Sequence, residues 1–297
     1  MRSSRTRSLP EAGPFGAQRR DRLDTPDSIR YCSISSPRGW CPATRSKRVD
    51  KMPTNTPRRA GRHFLHIPGP TPVPDRILRA IDMPIIDHRG PEFGRLGLRV
   101  LDKLKTVFKT RSHVFVYPSS GTGAWTAALV NTLSPGDHVL MVETGHFASL
   151  WKAIAEKLGL KPEFIETDWR RGAPPEAIEE RLRRDTAKSI RAVCVVHSET
   201  STGCVSRLPE IRAAMDRSGH PAMLMVDAIS SLGSIDVRHD EWGIDVSIGG
   251  SQKGLMLPPG LSFTAVSDKA LAAHKAARLP RTYWDWSEML PSNAKGY

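Results

Sequence analysis

From Phe64 onward the chain alternates short, continuous apolar runs with longer segments whose apolar positions recur at helical spacing. The apolar runs predict strands over 114–117, 138–143, 163–166, 192–197, 223–227, 246–248 and 262–266. The helical spacing predicts helices near 122–133, 147–159, 175–185, 208–218 and 268–277. Runs such as Ala192-Val193-Cys194-Val195-Val196 lack polar alternation, which suits strands covered on both faces. Strand, helix and strand repeated in this way predict an α/β fold of three layers, a mostly parallel sheet with helices on both faces. No internal repeat is visible.

Residues 1–60 have a different texture. They are rich in Arg, Ser and Pro and show neither a helical nor a strand period. They contain no apolar core of a secretory signal, and Glu11, Asp21, Asp24, Asp27 and Asp50 argue against a transit peptide. The segment reads as a basic, disordered extension, with 61–297 as the folded domain.

Composition adds one point. The 297 residues carry a formal net charge of +13, which invites a nucleic-acid or membrane-surface reading. Residues 1–60 hold +9 of that excess and the remainder only +4. The folded part is therefore expected to bind neither nucleic acid nor membrane. No apolar run approaches the roughly 20 residues that span a bilayer. The four cysteines, Cys32, Cys41, Cys194 and Cys204, form no C-x-x-C pair, so a reducing, cytoplasmic setting without a metal site is expected.

In a sheet of this class, ligands bind beyond the carboxyl ends of the strands. After 114–117 comes Ser119-Ser120-Gly121-Thr122-Gly123, small residues opening a helix, which suits an anion or merely tight packing. After 138–143, Phe147 either covers a planar ligand or belongs to the core. Ser198-Glu199-Thr200-Ser201-Thr202-Gly203 reads as a ligand-contacting cluster or a capped turn. Asp227, ending an apolar strand, needs a cation or donor, or else caps the next segment. Lys253, in Gly249-Gly250-Ser251-Gln252-Lys253-Gly254, is either an amine with a lowered pKa, ready for Schiff-base chemistry, or a lysine reaching out from a loop.

The order of these signals resembles fold-type I pyridoxal-phosphate enzymes, and the chain is similar to class V aminotransferases from Phe64 to Tyr297. The motifs that carry the resemblance are Ile67-Pro68-Gly69-Pro70-Thr71-Pro72-Val73-Pro74, Asp87-His88-Arg89-Gly90-Pro91-Glu92-Phe93, the 119–123 loop, the 198–203 cluster, Val226-Asp227-Ala228-Ile229-Ser230-Ser231, and Ser251-Gln252-Lys253-Gly254 followed by Pro258-Pro259-Gly260. Tyr283-Trp284-Asp285-Trp286 resembles the serine–glyoxylate branch in particular.

The resemblance implies that Lys253 is catalytic and holds pyridoxal 5'-phosphate covalently. It implies that Asp227 pairs with the ring nitrogen, and that Ser120, Gly121, Thr122 and Gln252 contact the phosphate. Phe147 would stack on the ring and Thr200 would reach its phenolic oxygen. Ile229 would contact the cofactor and Gly69 would line the substrate site. The implied substrates are small amino and keto acids, serine and glyoxylate giving hydroxypyruvate and glycine, and the implied assembly is a homodimer. Family members continue beyond the position of Tyr297 into a small second domain that carries a carboxylate-binding Arg. Alternatives are another class V transaminase using alanine or aspartate, a cofactor-binding remnant without turnover, and a cysteine desulfurase. The last needs a mobile Cys, and neither Cys194 nor Cys204 is expected on an active-site loop.

Overall fold

The structure, a computed structural model, describes residues 64–297. The basic extension read at 1–60 lies outside the described residues. The seven predicted strands form one sheet: β1 (His113–Tyr117), β2 (His138–Val142), β3 (Lys161–Ile165), β4 (Ile190–Val196), β5 (Met223–Asp227), β6 (Val246–Gly250) and β7 (Ser262–Val266). Their order across the sheet is β1-β7-β6-β5-β4-β2-β3, and β7 alone runs against its neighbours. The carboxyl ends of β2, β4, β5 and β6 therefore open on one edge, and the segments with candidate chemistry follow them.

The continuous apolar runs have a direct cause. Successive residues of a strand point to opposite faces, and both faces are covered. On β4, Ala192 and Cys194 enter one core with Trp125, Leu129 and Trp151, whereas Val193 and Val195 enter the other with Phe108, Ile178 and Ile211. On β2, Met141 faces the first core and Leu140 the second. The strand β3 is the exception. It sits at the sheet edge with one neighbour and is only partly buried, which is why it tolerates Lys161 and Pro162.

The five predicted helices are present as α3 (Gly121–Thr132), α4 (His146–Lys157), α5 (Pro175–Arg184), α6 (Leu208–Ser218) and α7 (Asp268–Ala276). Three more were not foreseen from the apolar spacing: α1 (Asp75–Ile81), α2 (Pro91–Phe108) and α8 (Trp286–Asn293). Glycines obscured α2 in the sequence. A Cβ on Gly94 would lie 2.9 Å from the Lys295 carbonyl, so the glycine lets the C-terminal segment cross the helix.

Helix α8 is anchored by Trp286, which is fully buried. Its ring stacks on Phe115 at 5.2 Å, and its indole N–H donates to the Tyr117 hydroxyl at 2.8 Å. Trp286→Ala should lower stability by about 3–5 kcal/mol, measured by urea denaturation of the cofactor-free chain. A loss below about 1 kcal/mol would mean that the cavity collapses or that α8 contributes little to the fold.

Candidate active site

The 119–123 loop leads from β1 into α3. Ser120 is the N-cap of α3, in extended conformation, and its side chain makes no capping hydrogen bond. Ser120 and Thr122 are exposed. Their hydroxyls and the leading amides of the helix are thus left for an anion. Ile229 packs here: a Cβ on Gly121 would run into its side chain, and one on Gly250 would lie 3.2 Å from it. Ile229 thereby joins the start of α3 to the ends of β5 and β6.

Asp227 ends β5 and is 4 % exposed. One carboxyl oxygen accepts from the Ile229 amide at 2.8 Å and the other from the Trp125 indole N–H at 3.1 Å. Burial pushes its pKa up to about 7, the neighbouring Glu199 carboxylate adds to the rise, and the two hydrogen bonds and Lys253 oppose it. A carboxyl held this way favours a cationic or N–H partner at the site mouth.

Lys253 lies in the loop after β6 and is half-buried. Burial lowers its pKa, while Asp227 and Glu199 pull it back up. Its Nζ donates to Thr200 Oγ1 at 3.4 Å, and Thr200 in turn shares a hydrogen bond with the Ser230 hydroxyl. The loop is backed by the segment that carries the Pro-Gly-Pro-Thr motif. The Thr71 amide donates to the Gln252 carbonyl at 3.1 Å, and its hydroxyl donates to the Lys253 carbonyl at 3.2 Å.

Gly69 lies against the lysine stem. A Cβ there would come within 2.7 Å of Lys253 Cδ and 2.9 Å of Cε. Gly69→Ala should therefore displace Lys253 without unfolding the chain. Overpacking of about 1–3 kcal/mol corresponds to about 5- to 150-fold weaker capture of pyridoxal phosphate. Titration by tryptophan fluorescence, with a parallel thermal melt, would check it. An unchanged affinity would remove Gly69 from the site.

Phe147 opens α4 and is partly buried. Its ring meets Trp125 edge-on at 6.5 Å, and Trp125 stacks on Trp151 at 5.8 Å. The same indole that holds Asp227 therefore also supports Phe147. Trp125 was not singled out from the sequence, where it reads as one more apolar residue of α3. The one available signal was a large indole one turn into the helix after a candidate anion loop.

The structure gives Tyr283-Trp284-Asp285-Trp286, the motif that resembles the serine–glyoxylate branch, a packing role. Trp286 is core, Trp284 meets Tyr117 edge-on at 5.4 Å, and Asp285 caps α8 by accepting from the Ser287 amide. Cys204 closes the turn that carries Thr200: its carbonyl accepts from the Glu199 amide at 2.9 Å. Its thiol donates to the Trp169 carbonyl at 3.1 Å. Cys194 lies inside β4, where burial pushes its thiol pKa up.

The residues suit a phosphorylated pyridine. An uncapped helix start could take the phosphate, a buried acid could pair with the ring nitrogen, an aromatic ring could cover the pyridine, and a half-buried amine is available for the carbonyl. Gln252 Oε1 is buried without a hydrogen-bond partner, a polar atom that a ligand donor would satisfy.

Residues 86–279 match the family model described as aminotransferase class-V. The chain is 47% identical over 235 residues to an L-aspartate–glyoxylate aminotransferase of Paracoccus denitrificans, covering 78% of this chain and 59% of that relative. It is 47% identical over 246 residues to a serine–glyoxylate aminotransferase of Methylorubrum extorquens, covering 81% and 61%. The chain thus spans about three-fifths of the length of the curated relatives it matches. Among solved structures, a subgroup IV aspartate aminotransferase from Thermus thermophilus superposes with a TM-score of 0.72 at 31% identity, over 79% of this chain and 64% of that one. Sequence, sheet topology and family model converge on one assignment: the chain belongs to the class V aminotransferases, a family of pyridoxal-phosphate enzymes.

Proposed function

We propose that residues 61–297 are the cofactor-binding domain of a transaminase that moves the amino group of serine to glyoxylate, giving hydroxypyruvate and glycine. The observation that carries the reading is the Lys253 amine, lowered in pKa by burial, at the end of β6 beside the buried Asp227 at the end of β5. When bound, pyridoxal phosphate supplies an electron sink for the charge left at the amino acid Cα.

The side chains of the chain have distinct tasks around that sink. The Lys253 amine would take the Cα proton and return it to the cofactor carbon that carried the aldehyde, and its lowered pKa favours the free amine that this needs. Asp227 keeps the ring nitrogen in its N–H form. Thr200, hydrogen-bonded to Ser230, would hold the phenolic oxygen, and Phe147 would cover the ring. Ser120, Gly121, Thr122 and Gln252 anchor the phosphate, while Gly69 leaves room for substrate beside the lysine.

Glyoxylate as acceptor is supported by the names of the Paracoccus, Methylorubrum and Hyphomicrobium relatives. The 47% identity to an aspartate–glyoxylate enzyme favours aspartate as a second reading of the donor. A homodimer is supported by the apolar side chains left exposed near the start of the described chain. Helix α1 buries no residue, and Leu78, Ile81, Met83 and Ile85 face outward. No described helix is long and apolar enough to cross a membrane.

The test is to load the purified chain with pyridoxal phosphate and follow its absorbance after adding serine, aspartate or alanine separately. The expected result is a serine-dependent change faster than with the other donors, with hydroxypyruvate released. Failure to bind the cofactor at all would overturn the functional reading, and a preference for aspartate would move the donor to the second reading.

A further inference from the structure

Helix α4 lacks a cap of its own. Its N-cap residue is Gly145, and no side-chain capping bond comes from that position. An uncapped helix start leaves backbone N–H groups that need an acceptor. Here the acceptor comes from another strand. Glu199, in the turn after β4, is fully buried. Its carboxylate accepts from the Phe147 amide at 3.3 Å and the Ala148 amide at 3.2 Å. It also accepts from the Ser201 amide at 3.1 Å and the Ser201 hydroxyl at 2.7 Å. The Ser201 hydroxyl in turn accepts from the His146 amide at 2.9 Å, and Thr202 Oγ1 donates to the Thr144 carbonyl at 3.1 Å.

We infer that Glu199 is a positioning residue: it clamps the start of α4 to the 199–203 turn, so that Phe147 and Thr200 are held as one rigid unit beside the cofactor site. The inference rests on the proposed transaminase reading for its cofactor, but the clamp itself is a property of the bare chain. A buried carboxylate with four donors at a helix N-terminus is favourable because the partial positive charge of the helix end offsets its desolvation. Gly145 makes the close approach possible. A Cβ on Gly145 would meet Glu199 Cγ at 2.5 Å and Ser201 Oγ at 2.5 Å. A cap contributed by the chain's own residue 145 would push the clamp apart.

The position of the carboxylate gives it a second effect. Asp227 on β5 and Glu199 are the charged groups that act on Lys253, and both favour its protonated form. The clamp is therefore also part of the field in which the lysine works, which distinguishes it from a purely structural cap.

The experiment compares wild type, Glu199→Gln, Glu199→Ala and Ser201→Ala. Hydrogen exchange on the cofactor-free proteins should show at least about tenfold faster exchange at the amides of Phe147, Ala148 and Ser201 in Glu199→Ala. Glu199→Gln should show a smaller rise because one carbonyl acceptor remains, and exchange in β4 and β5 should not move. The affinity for pyridoxal phosphate, read by tryptophan fluorescence, should fall about tenfold or more in Glu199→Ala. In cofactor-loaded Glu199→Gln, the pH midpoint of the visible absorbance change should move down relative to wild type. A helix cap without influence on the site would leave that midpoint where it is.

Unchanged exchange at 147–148 in Glu199→Ala overturns the clamp. Faster exchange with unaltered cofactor affinity and an unaltered midpoint overturns its role at the cofactor. If Glu199→Ala does not fold, Glu199→Gln and Ser201→Ala carry the same readouts. A wild-type chain with protected amides but no affinity for pyridoxal phosphate overturns the functional reading instead, a result separable from failure of the clamp because protection is read without cofactor.

Discussion

Lys253→Ala is expected to eliminate transamination by more than about a thousandfold and to leave no cofactor that borohydride can fix to the chain. On the proposed function two roles would be lost at once: the covalent bond to the cofactor and the proton carrier at the substrate Cα. The lysine is suited to both because burial lowers its pKa while it stays within hydrogen-bonding reach of Thr200. Lys253→Arg should be as inactive, since a guanidinium keeps the charge but cannot form the carbon–nitrogen bond at neutral pH. Neither substitution should unfold the chain, because the side chain is only half-buried and its loop is held by backbone contacts to Thr71. Mass spectrometry after borohydride reduction, with a thermal melt for each variant, checks this. A label that persists in Lys253→Ala would point to another amine, and with it the assignment of the site would fall.

The contrast between Lys253 and Glu199 shows what the sequence can carry. Lys253, Asp227 and Thr200 each stand at or shortly after the carboxyl end of a predicted strand, so the topology rule makes them candidates. Those strands were legible because both faces are buried, as Ala192-Val193-Cys194-Val195 in β4 illustrates. The sheet order was not legible. Nothing in Ser262-Phe263-Thr264-Ala265-Val266 announces that β7 runs antiparallel between β1 and β6.

Helix α2 was missed because Gly94 and Gly97 dilute its apolar period, and their reason, the crossing of residues 295–296, lies some two hundred positions away. Glu199 and Trp125 were illegible as functional groups for the same kind of reason. The amides that Glu199 caps come from α4, and the carboxylate that Trp125 holds comes from β5. Local pattern reveals which residues are placed at a site. It does not reveal the long-range hydrogen bonds that hold them there.

Asp227→Asn should act in opposite directions on stability and on chemistry. Without cofactor, burial raises the Asp227 pKa from 3.8 to about 7. The folded chain then holds that proton more tightly than the unfolded chain does. Ionisation of Asp227 therefore takes nothing from stability below about pH 4, and takes progressively more as pH rises through 7. Asparagine cannot ionise, so the cofactor-free variant should exceed wild type in stability at pH 8 by up to about 4 kcal/mol, and match it near pH 4.

His197 and His239 give the opposite slope. Burial holds both near pKa 4, so they remove stability as pH falls from 6.5 towards 4, but they do so in both proteins and cancel in the difference. With cofactor bound the ranking reverses. A neutral amide cannot hold the ring nitrogen in its N–H form, and the loss of that charge at the electron sink should lower kcat by more than about a hundredfold. Urea denaturation across pH 4–8 and single-turnover kinetics with serine decide both halves. A variant that is less stable at pH 8, or that keeps wild-type turnover, would show that Asp227 is held by Trp125 and Ile229 for packing alone. The expected pattern, a carboxylate that destabilises the empty fold and is needed only when the cofactor is present, is the physical signature of a residue retained for chemistry.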